Sequence, residues 1–356
     1  MLTSFAAPRG GAQRPSDGRA GAEMLFQPAI IALLLASGVA VAMLAAAAPF
    51  AVQMIRQWDI ASGSERQLQL ERRTYLFSTL AAFVMAVQLV ALLLFVFNAD
   101  RMSVMFVGAM CAVGTLNVNA WGFPALIAQM AVFFLAAAWL AVNHVDTRAP
   151  DYPLVRVKYA LLLFLLPALA LAFGLQLKYF LGLRADVITS CCGSLFSGDA
   201  RGLAAEVAAM KPLPAMLLFY GAIAVSAGLT FAHARTGRGG YAAAAASAAA
   251  FVATLVGVLS FVSLYLYEHP NHHCPFCILK PEYGHQGYWL YVPLFAATAA
   301  GLGVGALQPF RRVASLRDIV PAVSARLAGI AAFGYLLVAA IATFFILHSN
   351  LILIGH

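Results

Sequence analysis

Residues 103–119 read SVMFVGAMCAVGTLNVN, and whether this run crosses a membrane decides how the whole chain is threaded. It is apolar through Met110 but closes on Asn117 and Asn119. It also falls short of the ~20 apolar residues needed to traverse a hydrocarbon core of about 30 Å. The expectation is a re-entrant or interfacial segment rather than a span. Irregular backbone at that depth needs polar partners, so Asn117, Asn119 and Pro124, where the segment meets the next apolar run, are expected to form a polar lining.

Outward from this stretch, about eight other runs pass the length test. They cover 28–54, 74–98, 119–143, 159–181, 213–233, 241–267, 287–307 and 327–348. The chain is 63% hydrophobic and 10% charged, with a mean hydropathy of +0.86, against roughly 25% charged residues in a soluble domain. The predicted fold class is all-α: a polytopic integral membrane helical bundle forming one transmembrane domain over residues 24–356. Residues 1–23 read as a disordered extension that a start at Met24 would omit. A cleaved signal peptide fits less well, because the apolar run that follows exceeds the usual core of about 7 to 15 residues.

Loop charge then sets the orientation. Arg56, Arg66, Arg72 and Arg73, then Arg148, Arg156 and Lys158, then Arg235 and Arg238, then Arg311, Arg312, Arg317 and Arg326 occupy alternate connections. They share one side only if 103–119 does not span, and that side is expected to be cytoplasmic. Both termini and the loops 182–212 and 268–286 then face outward from the plasma (inner) membrane. The net charge of +8 comes from these short loops and makes no basic face with interleaved aromatics, so nucleic acid is not an expected partner.

The outward loops hold the chemistry-bearing residues. Cys274 and Cys277 form a C-x-x-C pair in 268–286, and the vicinal Cys191 and Cys192 lie in 182–212. Cys111, in the non-spanning run, is expected near the same face. That compartment permits disulfides. A vicinal pair closes poorly on itself, so it reads as two alternative exchange partners or two soft ligands. If the C-x-x-C stands at a helix start, the helix N-terminus favours the Cys274 thiolate. The leading expectation is therefore a membrane-anchored thiol-disulfide oxidoreductase. In it Cys274 attacks, Cys277 resolves, Cys191 or Cys192 relays, and His273 is the nearest acid or base. A permanent disulfide clamp in a non-catalytic permease or assembly subunit stands beside it.

Cys274-Pro275-Phe276-Cys277 resembles the active-site tetrapeptide of glutaredoxins, but no soluble strand–helix pattern follows it, which excludes that fold. The run Cys274–Ile278 is also similar to the C-x-x-C-I of quinone-coupled disulfide-forming membrane proteins. There a loop C-x-x-C opens a transmembrane helix and a second pair lies in another outside loop. The resemblance implies a quinone as cofactor and an extracytoplasmic thioredoxin-like protein as partner. It covers only those residues and the placement of the pairs, and those proteins have fewer core spans than this chain.

A membrane protein that binds or transfers a soft metal, copper, zinc or mercury, is the competing expectation. His269, His272, His273 and His285 surround Cys274 and Cys277, and imidazole with thiolate suits copper or zinc. A workable set takes both cysteines, one of His272 or His273, and His269 or His285. Covalent c-type haem is excluded, because Ile278 stands where the attachment motif has histidine. The span centres carry no Asp, Glu, Lys or Arg, which argues against a proton-coupled carrier or ion pump. Gly301 and Gly305 have the spacing of a close helix contact, within the chain or with another membrane subunit.

Overall fold

The computed structural model describes residues 26–60, 62–184, 187–189, 207 and 210–353. Among these, eight helices are long and apolar enough to cross a membrane. They are α1 (Pro28–Gln57), α2 (Glu65–Arg101), α3 (Gly122–Asp146), α4 (Val155–Leu181), α5 (Pro212–Thr236), α6 (Gly240–Gly257, continued through Val258–Val262 to Tyr267), α7 (Gln286–Leu307) and α8 (Ile319–His348). No strand occurs among the described residues.

Local chemistry sets the ends. Pro28 opens α1, where its missing N–H is not needed. Ser64 caps α2 by accepting the Gln67 N–H. Gly237, at φ +67°, stops α5 in the left-handed region. Phe83, Leu217, Phe333 and Leu347 are each more than 60% exposed on helix exteriors, as expected of faces solvated by lipid rather than water.

The helices close into two rings of four. In the first, α1 packs on α2 and α4, and α3 packs on the same two helices. In the second, α5 and α7 each pack on α6 and α8. The rings meet mainly along α3 and α7. The α6–α7 approach depends on glycine. A Cβ at Gly301 would stand 2.0 Å from Ser247 Oγ, and one at Gly305 2.6 Å from Ala244 Cβ. These two glycines serve packing inside the chain.

Residues 102–121 contain no helix long enough to cross a membrane. They form a 3-10 turn at Met102–Met105 and a short helix at Ala112–Leu116, folded back between α2 and α3. Asn119 Nδ2 donates to Tyr179 O, and Trp121 N–H donates to Asn119 Oδ1, which is the polar lining expected of such a segment. Thr189 ties the next connection on this end to the same fold-back, donating from N to Val107 O and from Oγ1 to Gly114 O. Gly108, at φ +85°, permits that approach, since a Cβ there would lie 2.1 Å from Thr189 O.

At the opposite end, Arg156 donates to Trp58 O and Arg311 to Gly237 O, each linking two arginine-bearing connections. Lys158 departs from expectation. It lies in the first turn of α4, is 1% exposed, and pairs with Asp146 at 2.6 Å. Its charge is thus compensated within the bundle and does not act as a loop charge.

Candidate functional site: a buried trio of cysteines between the rings

The site lies where the connection following α2 meets the connection following α6. Cys111 comes from the first ring's fold-back, immediately before Ala112–Leu116, and Cys274 and Cys277 come from the second ring's loop. The three Sγ atoms lie within 4.8 Å of one another. Cys111 Sγ and Cys274 Sγ are 3.3 Å apart, well beyond the ~2.0 Å of a disulfide bond. Cys111 and Cys274 are 0% exposed and Cys277 is 4% exposed, with Val113, Phe123, Tyr267, Phe276 and Tyr283 packed around them.

The loop that presents the pair is held at several points. Tyr267 Oη donates to Cys274 O at 2.6 Å, and Tyr291 Oη donates to Pro275 O at 2.7 Å. Gly287 lets the loop settle onto α7, because a Cβ there would meet Ile278 at 2.7 Å. Such anchoring fixes the sulfurs before any ligand or partner arrives.

One expectation is corrected here. The C-x-x-C does not open the seventh span. Cys277–Leu279 and Pro281–Tyr283 are single 3-10 turns, and α7 begins only at Gln286. Gly284 at φ +61° and His285 at φ +55° turn the chain between them, so His273 and Cys277 do not share a helix face. The Cys274 thiol is nevertheless held well below the usual thiol range. The largest cause is the hydrogen bond with Cys111, followed by that with Cys277, and the backbone N–H groups of Phe276 and Cys277 add to it against burial. Cys277 is pushed the other way by the same contacts and by burial.

The histidines point elsewhere. His273 Nδ1 meets Leu259 O at 2.8 Å, and because a carbonyl only accepts, that nitrogen carries the proton. Leu259 belongs to a π turn at Val258–Val262, which re-aims carbonyls of α6. His285 Nδ1 donates to Leu279 O, His269 Nδ1 accepts the Asn271 N–H, and the His272 ring lies 4.1 Å from the Tyr267 ring. Among the described residues no histidine or carboxylate joins the three sulfurs as a further ligand. Cys191 and Cys192 lie outside the described residues.

Sequence reasoning placed Cys111 near this face but did not assign it to the site. The signal that could have found it is a lone cysteine in a segment too short to span. Beside the loop lies an apolar cavity of about 240 Å³, bounded by Pro275, Phe276, Tyr288 and Tyr291 and, from the first ring, Leu92 and Phe133. Trp289 faces outward instead, 69% exposed. No protein-family model, curated protein or solved structure matches the chain, so its function is read from this geometry.

Proposed function

We propose that the chain is a multi-pass membrane protein that binds a soft metal ion, Cu(I) foremost, at Cys111, Cys274 and Cys277, for storage or transfer at the extracytoplasmic face. The observation that carries this reading is the convergence of three buried sulfurs from two separate connections. Thiolates select soft ions, and a set of three with no further side-chain ligand among the described residues suits Cu(I) better than zinc, whose structural sites are four-coordinate. Burial supports the same conclusion, since a partner's thiol would have to reach sulfurs at most 4% exposed. The outward orientation rests on the arginines at the other end of the bundle.

A second reading is thiol-disulfide exchange, favoured by the 3.3 Å approach of Cys111 to Cys274. Closing that contact would release two protons and two electrons as the S–S bond forms. A lipid-soluble quinone in the cavity beside Pro275 and Phe276 would be the acceptor and would leave as the quinol. In this reading Cys277 competes with Cys111 for Cys274, with Cys191 or Cys192 as relays to an extracytoplasmic thioredoxin-like protein.

Metal analysis and thiol counting on full-length protein, purified after growth with copper, separate the two. Metal binding predicts about one ion per chain, lost in Cys111→Ser, Cys274→Ser and Cys277→Ser. It is retained in His272→Ala, His273→Ala and the Cys191→Ser/Cys192→Ser double variant. Metal-free protein whose Cys277→Ser form accumulates mixed disulfides would replace this reading with exchange. Metal-free protein with inert thiols would remove both.

A further inference from the structure

The first ring contains a feature that the sulfur site does not use. Its core is two apolar clusters stacked along the bundle. On α1 the cysteine-side cluster ends at Leu33 and the other resumes at Ala40, and on α2 the break falls between Ala91 and Met85. On α3 it falls between Leu126 and Val132, and on α4 between Tyr179 and Ala172. Ser37, Gln88, Gln129 and Gln176 occupy those breaks, one on each helix, and none is more than 1% exposed. The four lie as a polar layer at the junction of the two clusters, toward the cysteine-side end of the ring, with Gln176 less than two turns from the end of α4 at Leu181 and Gln129 about two turns from the start of α3 at Gly122.

One bond is made within the layer, from Gln129 Nε2 to Gln176 Oε1 at 3.0 Å. Ser37 Oγ, both amide atoms of Gln88, Gln129 Oε1 and Gln176 Nε2 have no hydrogen-bond partner among the described residues. Polar groups at this depth have no bulk water to turn to, so each unmade bond counts against the fold until something makes it.

We propose that the layer binds the hydroxyl or carbonyl end of an uncharged, lipid-soluble amphiphile whose hydrocarbon part lies in the groove between α1 and α2. The orphan atoms include donors on Gln88 and Gln176, acceptors on Gln88 and Gln129, and a hydroxyl that serves as either, with no formal charge among them. A neutral group with lone pairs or an O–H satisfies such a set, whereas an ion would be stranded without a counter-charge. The apolar clusters above and below close the layer along the bundle axis. Gln88 also lines an apolar groove of about 230 Å³ bounded by Leu35, Val39, Phe83, Val84 and Val87. Leu35, Val39 and Phe83 are each more than half exposed there, on the lipid-facing side. A second groove of about 300 Å³, lined by Leu33, Ala36, Val90 and Leu94, shares Ala36 and Val87 with the first and extends it. The ligand therefore arrives from the bilayer and not from either aqueous face.

The test uses full-length protein in lipid nanodiscs and a long-chain alcohol bearing a diazirine near its hydroxyl, with modified peptides mapped by mass spectrometry. The expected result is saturable labelling of the α1 and α2 peptides around Leu35 and Phe83, competed by 1-dodecanol but not by dodecyl phosphate. Gln88→Leu should reduce that labelling tenfold or more. Val87→Trp, which fills the groove while leaving the glutamines in place, should do the same, and the fold of each variant is verified by a cooperative melt whose midpoint is not lowered. Labelling that does not saturate, or that survives Gln88→Leu, overturns the proposal and leaves the layer to buried water.

Discussion

The two rings bury polar side chains in different ways. In the second ring, Tyr335 Oη donates to Ser247 O and meets Thr298 Oγ1 at 3.1 Å, Ser247 Oγ meets Ser226 Oγ, and His233 Nε2 meets Ser324 Oγ at 2.8 Å. Thr254 Oγ1 is its exception. The first ring instead leaves a layer of amides unsatisfied and concentrates its strongest polar contact in one ion pair, Asp146 with Lys158. Small hydroxyl residues that can bond back to their own helix make the second ring self-contained, as Thr230 and Ser247 do by donating to carbonyls one turn earlier. Gln129 instead finds its partner across the ring in Gln176. The difference leaves the unmet amide groups of the bundle's described residues in the first ring.

The comparison breaks or holds on stability measurements in detergent. Asp146→Ala should cause the largest loss, about 3–5 kcal/mol, because it strands a buried ammonium. Lys158→Met combined with Asp146→Leu should recover most of it, and a single variant without effect would mean the pair is hydrated. Gln88→Leu should act in the opposite direction. In ligand-free micelles it is expected to stabilise by about 1–3 kcal/mol, the desolvation penalty of an unsatisfied amide, and destabilisation would show that Gln88 is already partnered.

Tyr335→Phe in the second ring should destabilise by about 0.5–1.5 kcal/mol, the net worth of an ordinary hydrogen bond, and a gain there would erase the contrast. The smallest effect concerns Glu268, whose carboxylate accepts the Asn350 N–H and Nδ2–H at 2.8 and 2.9 Å. Those bonds lower its pKa below the ordinary 4.5. Its contribution is therefore present above pH 4.5 and lost as pH falls through the lowered value. Hydrogen exchange at Asn350 should accelerate over that window, and Glu268→Ala should remove the pH dependence.

Much of the fold was legible because lipid imposes a coarse rule on run length and polarity, and the eight runs are helices long and apolar enough to cross a membrane. The fold-back at 103–119 was legible for the same reason, from its length and its asparagines. The site was half legible. Cys274 and Cys277 announce themselves by spacing, but Cys111 joins them through tertiary packing that no local pattern encodes. The density of histidines suggested ligands, while a π turn in α6 and the turns at Gly284 and His285 direct Nδ1 of His273 and of His285 to backbone carbonyls, which no local pattern announces. The amide layer was missed because a search for charged residues in the spans passes over glutamine. Its signal was one Gln or Ser inside each of the first four apolar runs, Ser37, Gln88, Gln129 and Gln176.

The division of the sulfur trio between the rings bears on the order of synthesis. Cys111 and Cys274 are separated by 163 positions, a lag of roughly 8 to 33 s at about 5–20 residues per second. Throughout that interval Cys111 has left the ribosome without its final neighbours. Cys191 and Cys192 emerge first, about halfway through the interval at the same pace, so they are the first thiols of the chain that it can meet. A nascent chain arrested between positions 192 and 274 is thus the form in which a misplaced Cys111 disulfide would be caught, and reductant or copper supplied during translation would act on a different set of sulfurs than the finished protein offers.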